Sequence, residues 1–293
     1  MKSIKIKSLD NLELNAYIYD KVDKPIGIIQ FIHGMQEHGK RYDWACKEFN
    51  KHGYICLISD SRGHGKTAKD INELGKDDGD IFSLTVQDQI IISEYLINKY
   101  PNLPLYVFGH SYGSFITQKY IQECHLAKKA IICGTTNGDN LIMKFGRIIA
   151  WFTKLKNGKH GNATMIENMS LKSYAKGFEN GNWLSRDEKV WDTYKKDEYC
   201  GTPFPISFYA SLFKNMGKLN KGIKNINTDT KIMLIYGTND PVGSNGKEIQ
   251  KLHKKYLKNN INASIKGYEG ARHELLNETN KFEVVDDVIN FLS

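Results

Sequence analysis

Arginine is scarce in this 293-residue chain: only five of its 41 basic residues are arginine. The formal charge of +8 therefore comes from lysines, spread along the whole sequence without one dense block. Arginine is the usual bidentate reader of phosphates and bases, so the composition argues against a nucleic-acid partner. The charge reads first as a solvated lysine-rich surface and second as peripheral attraction to an anionic membrane. Paired cysteines are missing too. Cys46, Cys56, Cys124, Cys133 and Cys200 are scattered and odd in number, with no CxxC or metal-ligand spacing. They read as small core residues of a reduced, cytoplasmic protein. No stretch reaches the roughly eighteen apolar residues of a membrane-spanning helix. The opening MKSIKIKSLDNLELNAYIYD alternates polar and apolar residues where a signal peptide would carry an apolar core. There is no HExxH and no cysteine–histidine cluster, so neither a metal nor another cofactor is expected.

What remains is a chain with 40% apolar residues, 11% of all residues being aromatic, enough for one large α/β domain with an insertion. The opening segment reads as a strand pair. Ile26–Ile32 is a continuous apolar run ending in His-Gly, as expected of a strand covered on both faces. Further strands are expected at Tyr54–Asp60, Leu105–His110, Ala130–Gly134, Lys231–Gly237 and Asn262–Tyr268. Helical patterns lie between them, near 42–52, 83–100, 245–257 and 281–292, with Gly53 and Pro101 as stop signals. Alternating strands and helices predict a mostly parallel sheet with helices on both faces. The rhythm breaks over a helical, aromatic stretch. The expected organisation is a core of residues 1–134 and 227–293 interrupted by a helical cap, 135–226.

The segment VFGHSYGSF, Val107–Phe115, joins a buried strand to an amphipathic helix through Gly109-His-Ser111-Tyr-Gly113. Glycine weakens strands and helices, so two of them around one serine need a steric reason. The pattern is that of a nucleophile elbow, with Ser111 presented on a sharp turn. A serine hydroxyl needs a base. Among nine histidines, His273 in YEGARHELL follows the last strand, at the sheet edge where parallel sheets collect their sites. Asp240, in LIYGTNDPVG, follows the preceding strand, and Pro241 keeps it out of helical geometry. It would fix the tautomer of His273 and stabilise the imidazolium. The order nucleophile, acid, base is that of hydrolases of this architecture. Two backbone N–H groups are the expected oxyanion donors: Tyr112, at the start of the helix, and Met35, in the loop after IIQFIHG.

The motifs HGMQEHGKRYDWACKEFNKHGY, DSRGHGKT, GHSYGS, GTNDPVG and GARHELLNE occur in this order. Together they make the chain similar to the monoacylglycerol lipase and lysophospholipase branch of the α/β-hydrolases, the serine aminopeptidase-like group. The resemblance implies an eight-stranded sheet, a helical cap over the site and the same Ser111, Asp240, His273 triad. It also implies that Glu37, His38 and Arg41 hold the HG loop, and that Arg62 and His64 are architectural.

In the cap, apolar residues recur at helical spacing from Leu141 to Leu155, and TPFPISFYASLF forms a second apolar segment. Phe145, Ile149, Phe152 and Phe208 are the expected substrate-binding residues, and the first stretch reads first as a cap helix packed on the core and second as a lid helix that touches lipid. The expected function is cofactor-free cleavage of lipid-like carboxylic esters, monoacylglycerols or lysophospholipids, through an acyl-enzyme. The alternatives are thioester or aminopeptidase-type cleavage on the same triad, or a non-catalytic ligand receptor. A peptidase would need an acidic anchor for a substrate amine, for which Glu179, Asp187 and Glu188 are the cap candidates.

Overall fold

A computed structural model describes residues 1–138, 146, 148–150, 152, 153, 155, 158–169 and 171–293. Its strands are β1 Lys2–Lys7, β2 Glu13–Tyr19, β3 Gly27–Ile32, β4 Tyr54–Ser59, β5 Leu105–His110, β6 Lys129–Cys133, β7 Lys231–Gly237 and β8 Ala263–Tyr268. They form one eight-stranded sheet in the order β1-β2-β4-β3-β5-β6-β7-β8. The pairings β1–β2 and β2–β4 are antiparallel, and all others are parallel. The α/β-hydrolase architecture expected from the motifs is thus present.

Period-two alternation along the buried strands divides their side chains between two cores. Val107, Ala130, Ile132, Ile232 and Leu234 point to one face. There they meet α2 (Ile81–Lys99), α3 (Tyr112–Glu123) and α8 (Lys247–Lys258). Phe31, Phe108, Ile131, Cys133 and Ile235 point to the other, against α1 (Asp43–Lys51) and α9 (Lys281–Leu292). Burying each of these larger side chains stabilises the fold by about 1.5–3 kcal/mol, so a polar residue in any such run would be costly.

Between β6 and β7 lie α4 (Thr164–Met169), α5 (Leu171–Ala175), α6 (Glu188–Lys196) and α7 (Ile206–Leu219). Helix α7 starts after Pro205 and packs Phe208, Leu212, Met216 and Leu219 into the same core as α2 and α3. Residues 148–150, 152, 153 and 155 are helical. Among the described residues, no helix is long and apolar enough to cross a membrane.

The connection after β3 leads to β4 on one side of the sheet, while that after β5 leads to β6 on the other. The strand order therefore reverses at the β3–β5 pair, and in such sheets the crevice beyond the strand ends at that point is the preferred ligand site. Met35 follows β3 and Ser111 follows β5.

Candidate active site

Ser111 sits between β5 and α3 at φ 53, ψ −118, a left-handed conformation that costs a non-glycine residue energy. The flanking glycines answer a steric demand. A Cβ on Gly109 would lie 2.1 Å from Thr117 Oγ1 and 2.3 Å from the Gly113 carbonyl oxygen. The turn is fastened by Ser111 N–H donating to Cys133 O at 3.0 Å and by Ser114 N–H donating back to Ser111 O at 2.9 Å.

His273 is buried, and its Nδ1 lies 2.9 Å from Asp240 Oδ2. The other Asp240 oxygen accepts from Val242 N–H at 2.9 Å, which fixes the carboxylate on its turn. Such a carboxylate holds the proton on Nδ1 and leaves Nε2 as the basic nitrogen. His273 Nε2 is buried without a hydrogen-bond partner among the described residues. The ring is held between His110, with centroids 4.7 Å apart, and Trp183, at 4.9 Å. His273 N–H donates to Trp183 O at 3.4 Å and Glu274 N–H to Leu184 O at 2.8 Å, so residues between β6 and β7 grip the loop that carries His273.

The HG loop passes directly beside Ser111: a Cβ on Gly34 would lie 3.1 Å from Ser111 Cβ. The next turn holds Gln36 at φ 56 and is braced by charge. Glu37 accepts from Gly34 N–H at 2.5 Å, from Tyr42 OH at 3.0 Å and from Arg41 at 2.6 Å. Arg41 also forks onto Glu274 at 2.8 and 2.7 Å. Burial alone would push the Glu37 carboxyl up, but Arg41 and His110 outweigh it and hold it well below its ordinary range. His110 Nδ1 lies 3.3 Å from Glu37 and 2.9 Å from Tyr42 OH. Burial pulls the His110 imidazole down, and Glu37 more than reverses that, leaving it raised. The first N–H groups of α3, Tyr112 among them, have no partner within the helix.

His64 is dismissed by its surroundings. Burial lowers its pKa to about 3, so it stays neutral, packed on the Tyr112, Phe204 and Phe208 rings. Arg62 pairs with Asp88 and Asp10, which anchors the loop after β4.

Ser111 and His273 open onto one cavity of about 320 Å³. Met35, Trp183, Leu184, Trp191, Tyr194 and Pro203 give it apolar and aromatic walls, and Glu167 of α4 gives it a buried carboxylate. Glu167 Oε1 accepts from Tyr209 OH at 2.9 Å and from Phe204 N–H and Gln36 Nε2, each at 3.1 Å.

Of the expected substrate-binding residues, the three that are described do not line this cavity. Phe145 is outside the described residues. Ile149 is half-buried against the core, and Phe152 is 60% exposed. Phe208 is fully buried: α7 turns it toward Tyr112 and Phe204, so it supports α3 and does not line the cavity. Glu179 and Glu188 are exposed, and the Asp187 carboxylate caps α6 by accepting from Lys189 N–H at 3.0 Å. Among the residues between β6 and β7, the acid that reaches the cavity is Glu167, beside Glu37 and Glu274 from other parts of the chain, and the aromatic lining is Trp183, Trp191 and Tyr194. Local pattern gives them no mark. Glu167 stands in TMIENM like any acid on a short helix, and Trp183 reaches His273 only through tertiary packing.

The family described as "Serine aminopeptidase, S33" matches residues 23–280. A monoglyceride lipase homolog of Monkeypox virus is 26% identical over 278 residues, covering 91% of this chain and 90% of the relative. A monoacylglycerol lipase of Mycolicibacterium smegmatis is 22% identical over 285 residues, covering 92% and 88%. The structure of a thermostable carboxyl esterase from Bacillus coagulans, in complex with glycerol, superposes with a TM-score of 0.90 at 26% identity, covering 99% of this chain and 97% of that one. The chain belongs to the serine aminopeptidase family of α/β-hydrolases, and within it to the branch of carboxylic ester hydrolases that holds the monoacylglycerol lipases.

Proposed function

We propose that the protein cleaves carboxylic esters of lipid-like acyl chains, with monoacylglycerol as the best-fitting substrate class, on a triad of Ser111, His273 and Asp240. His273 Nε2 takes the hydroxyl proton as Ser111 Oγ attacks the ester carbonyl. The Met35 and Tyr112 N–H groups stabilise the oxyanion, a contribution on the order of 10²–10³-fold in kcat for each such donor. His273 then protonates the leaving glycerol oxygen, and water repeats the sequence to release the fatty acid. Asp240 keeps the imidazole in the required tautomer throughout.

The observation that carries this reading is the composition of the cavity at Ser111. Met35, Leu184, Trp183, Trp191 and Tyr194 give it the apolar surface an acyl chain requires. Of its three buried carboxylates, Glu37 and Glu274 are paired with Arg41, whereas the hydrogen bonds to Glu167 among the described residues all fall on Oε1. The second oxygen supplies an acceptor for the hydroxyls of a glycerol head group. The names of the relatives agree with this choice. The exposed Ile148, Phe152, Leu155, Met165 and Met169 of the cap support contact with a lipid surface. The five free, buried cysteines support a reducing, cytoplasmic setting.

Glu167 also favours a second reading, in which its charge anchors the ammonium of an aminoacyl substrate. Purified enzyme assayed on monoacylglycerols of increasing chain length and on aminoacyl p-nitroanilides separates the two, with Ser111→Ala as control. Turnover of the esters alone supports the lipase reading. Turnover of the anilides alone would replace it with the peptidase one.

A further inference from the structure

The loop that supplies the Met35 N–H meets the cap at a cluster of three metal-ligating side chains outside the cavity. His38 lies on that loop, and Asp197 and Cys200 lie on the turn after α6. A ring nitrogen of His38, a carboxylate oxygen of Asp197 and Cys200 Sγ are all within 4.8 Å of one another. His38 and Cys200 are buried and Asp197 is half-buried. The ligand-bearing turn is already shaped: Tyr199 N–H donates to Asp197 Oδ1 at 3.0 Å and Cys200 N–H to Asp197 O at 3.0 Å. Gly201 N–H donates to Gln36 O at 3.0 Å, which presses Cys200 against the loop. His38 Nε2 and Asp197 Oδ2 are 2.8 Å apart.

Nitrogen, oxygen and thiolate donors at this separation are the ligand set of a borderline-soft divalent cation. Tetrahedral zinc, with bonds of about 2.0–2.3 Å, holds its ligand atoms roughly 3.3–3.8 Å apart, so side-chain adjustment alone can close the cluster on an ion. Asp197 and the Cys200 thiolate together match the charge of a dication. Of the nearby cations, Arg41 is engaged by Glu37 and Glu274, while Lys40, Lys66 and Lys196 line the adjoining cleft together with Glu198. A fourth position opens toward a cleft lined by Tyr17, Lys40, Lys66 and Tyr199, leaving room for water.

We infer that His38, Asp197 and Cys200 form a zinc-type metal site that clamps the cap turn to the oxyanion loop. On binding, the Cys200 Sγ–H proton passes to solvent and the thiolate takes its place on the metal. The clamp holds the segment three residues beyond Met35 without touching substrate.

The test uses the full chain, reduced and freed of metal, titrated with Co²⁺. Absorption from thiolate-to-cobalt charge transfer should saturate at one equivalent, and one equivalent of Zn²⁺ should remove it. Cys200→Ser should abolish the band, and Cys124→Ser should leave it intact. His38→Gln should weaken binding by about tenfold or more. Zinc should raise the Tm of the wild-type protein and leave that of Cys200→Ser unchanged. Absence of a stoichiometric band in folded wild-type protein would overturn the assignment. A band of equal strength in Cys200→Ser would do the same, since the metal would then sit elsewhere. Should Cys200→Ser not fold, His38→Gln decides alone: unchanged affinity there would sink the proposal.

Discussion

A Cβ on Gly113 would lie 2.0 Å from the carbonyl oxygen of Ile32 and 2.6 Å from that of His33. The helix that begins after Ser111 therefore rests on the end of β3, and the same close approach brings the HG loop beside Ser111. Alanine at position 113 must push α3 away from the end of β3. Gly113→Ala is expected to lose about 1–3 kcal/mol of stability, seen as a lower Tm, together with most ester turnover. A variant with wild-type Tm and turnover would show that the close approach is dispensable.

Asp240→Asn keeps the size of a fully buried side chain but removes the charge that orients His273. The amide stabilises the wrong tautomer, which in triads of this kind lowers kcat by about 10⁴-fold. Steady-state rates on a p-nitrophenyl ester, with Tm measured alongside, provide the check. A loss below tenfold in a folded variant would remove Asp240 from the triad.

Glu167→Gln separates head-group recognition from acyl binding. A hydrogen bond to a charged group contributes about 1.5–3 kcal/mol, or roughly tenfold to a hundredfold in affinity. The ratio of kcat/KM for a monoacylglycerol to that for a p-nitrophenyl ester of the same acyl chain should therefore fall by about tenfold or more. An unchanged ratio would leave the carboxylate with a structural role only.

His110 sets a pH dependence of stability whose sign follows from its raised pKa, maintained by Glu37 against burial. A histidine held above its unfolded value of about 6.5 contributes stability that is complete below that pH and is lost as pH rises through the folded value. The stability advantage of the wild-type protein over His110→Gln should accordingly shrink as pH rises above about 6.5. Melting curves across that window test it, and an advantage that grows with pH would reverse the assignment.

The parts that could be read from sequence are those whose physics is local. Lys231–Gly237 and Lys281–Leu292 fall where the buried run and the amphipathic pattern place them. The helix expected over 83–100 begins at Ile81, because Asp80 caps it by accepting from Ser83 N–H at 3.5 Å. The placement of Ser111, Asp240 and His273 at one sheet edge is legible because each follows a recognisable strand, and strand ends on one edge of a parallel sheet converge. The cavity wall was not legible. Phe208 has the periodicity of a pocket residue, yet its neighbours Tyr112 and His64 come from distant parts of the chain. Only their positions decide that it is core. Glu167 shows the converse, an unremarkable acid made consequential by Gln36 and Tyr209.

The parallel pairing of β6 with β7 limits how the cap could be exchanged. Cys133, where the chain leaves β6, is registered with Ile235, while Lys231, where it re-enters, is registered with Lys129 at the far end. The intervening segment must therefore return the chain across the height of the sheet, and α7 runs in that segment, packed on α2 and α3. A graft of a foreign lid that replaced everything from 135 to 226 would remove this return along with the lid. A swap confined to the region before Ile206 would keep the return path and could transplant a new specificity onto an intact catalytic scaffold.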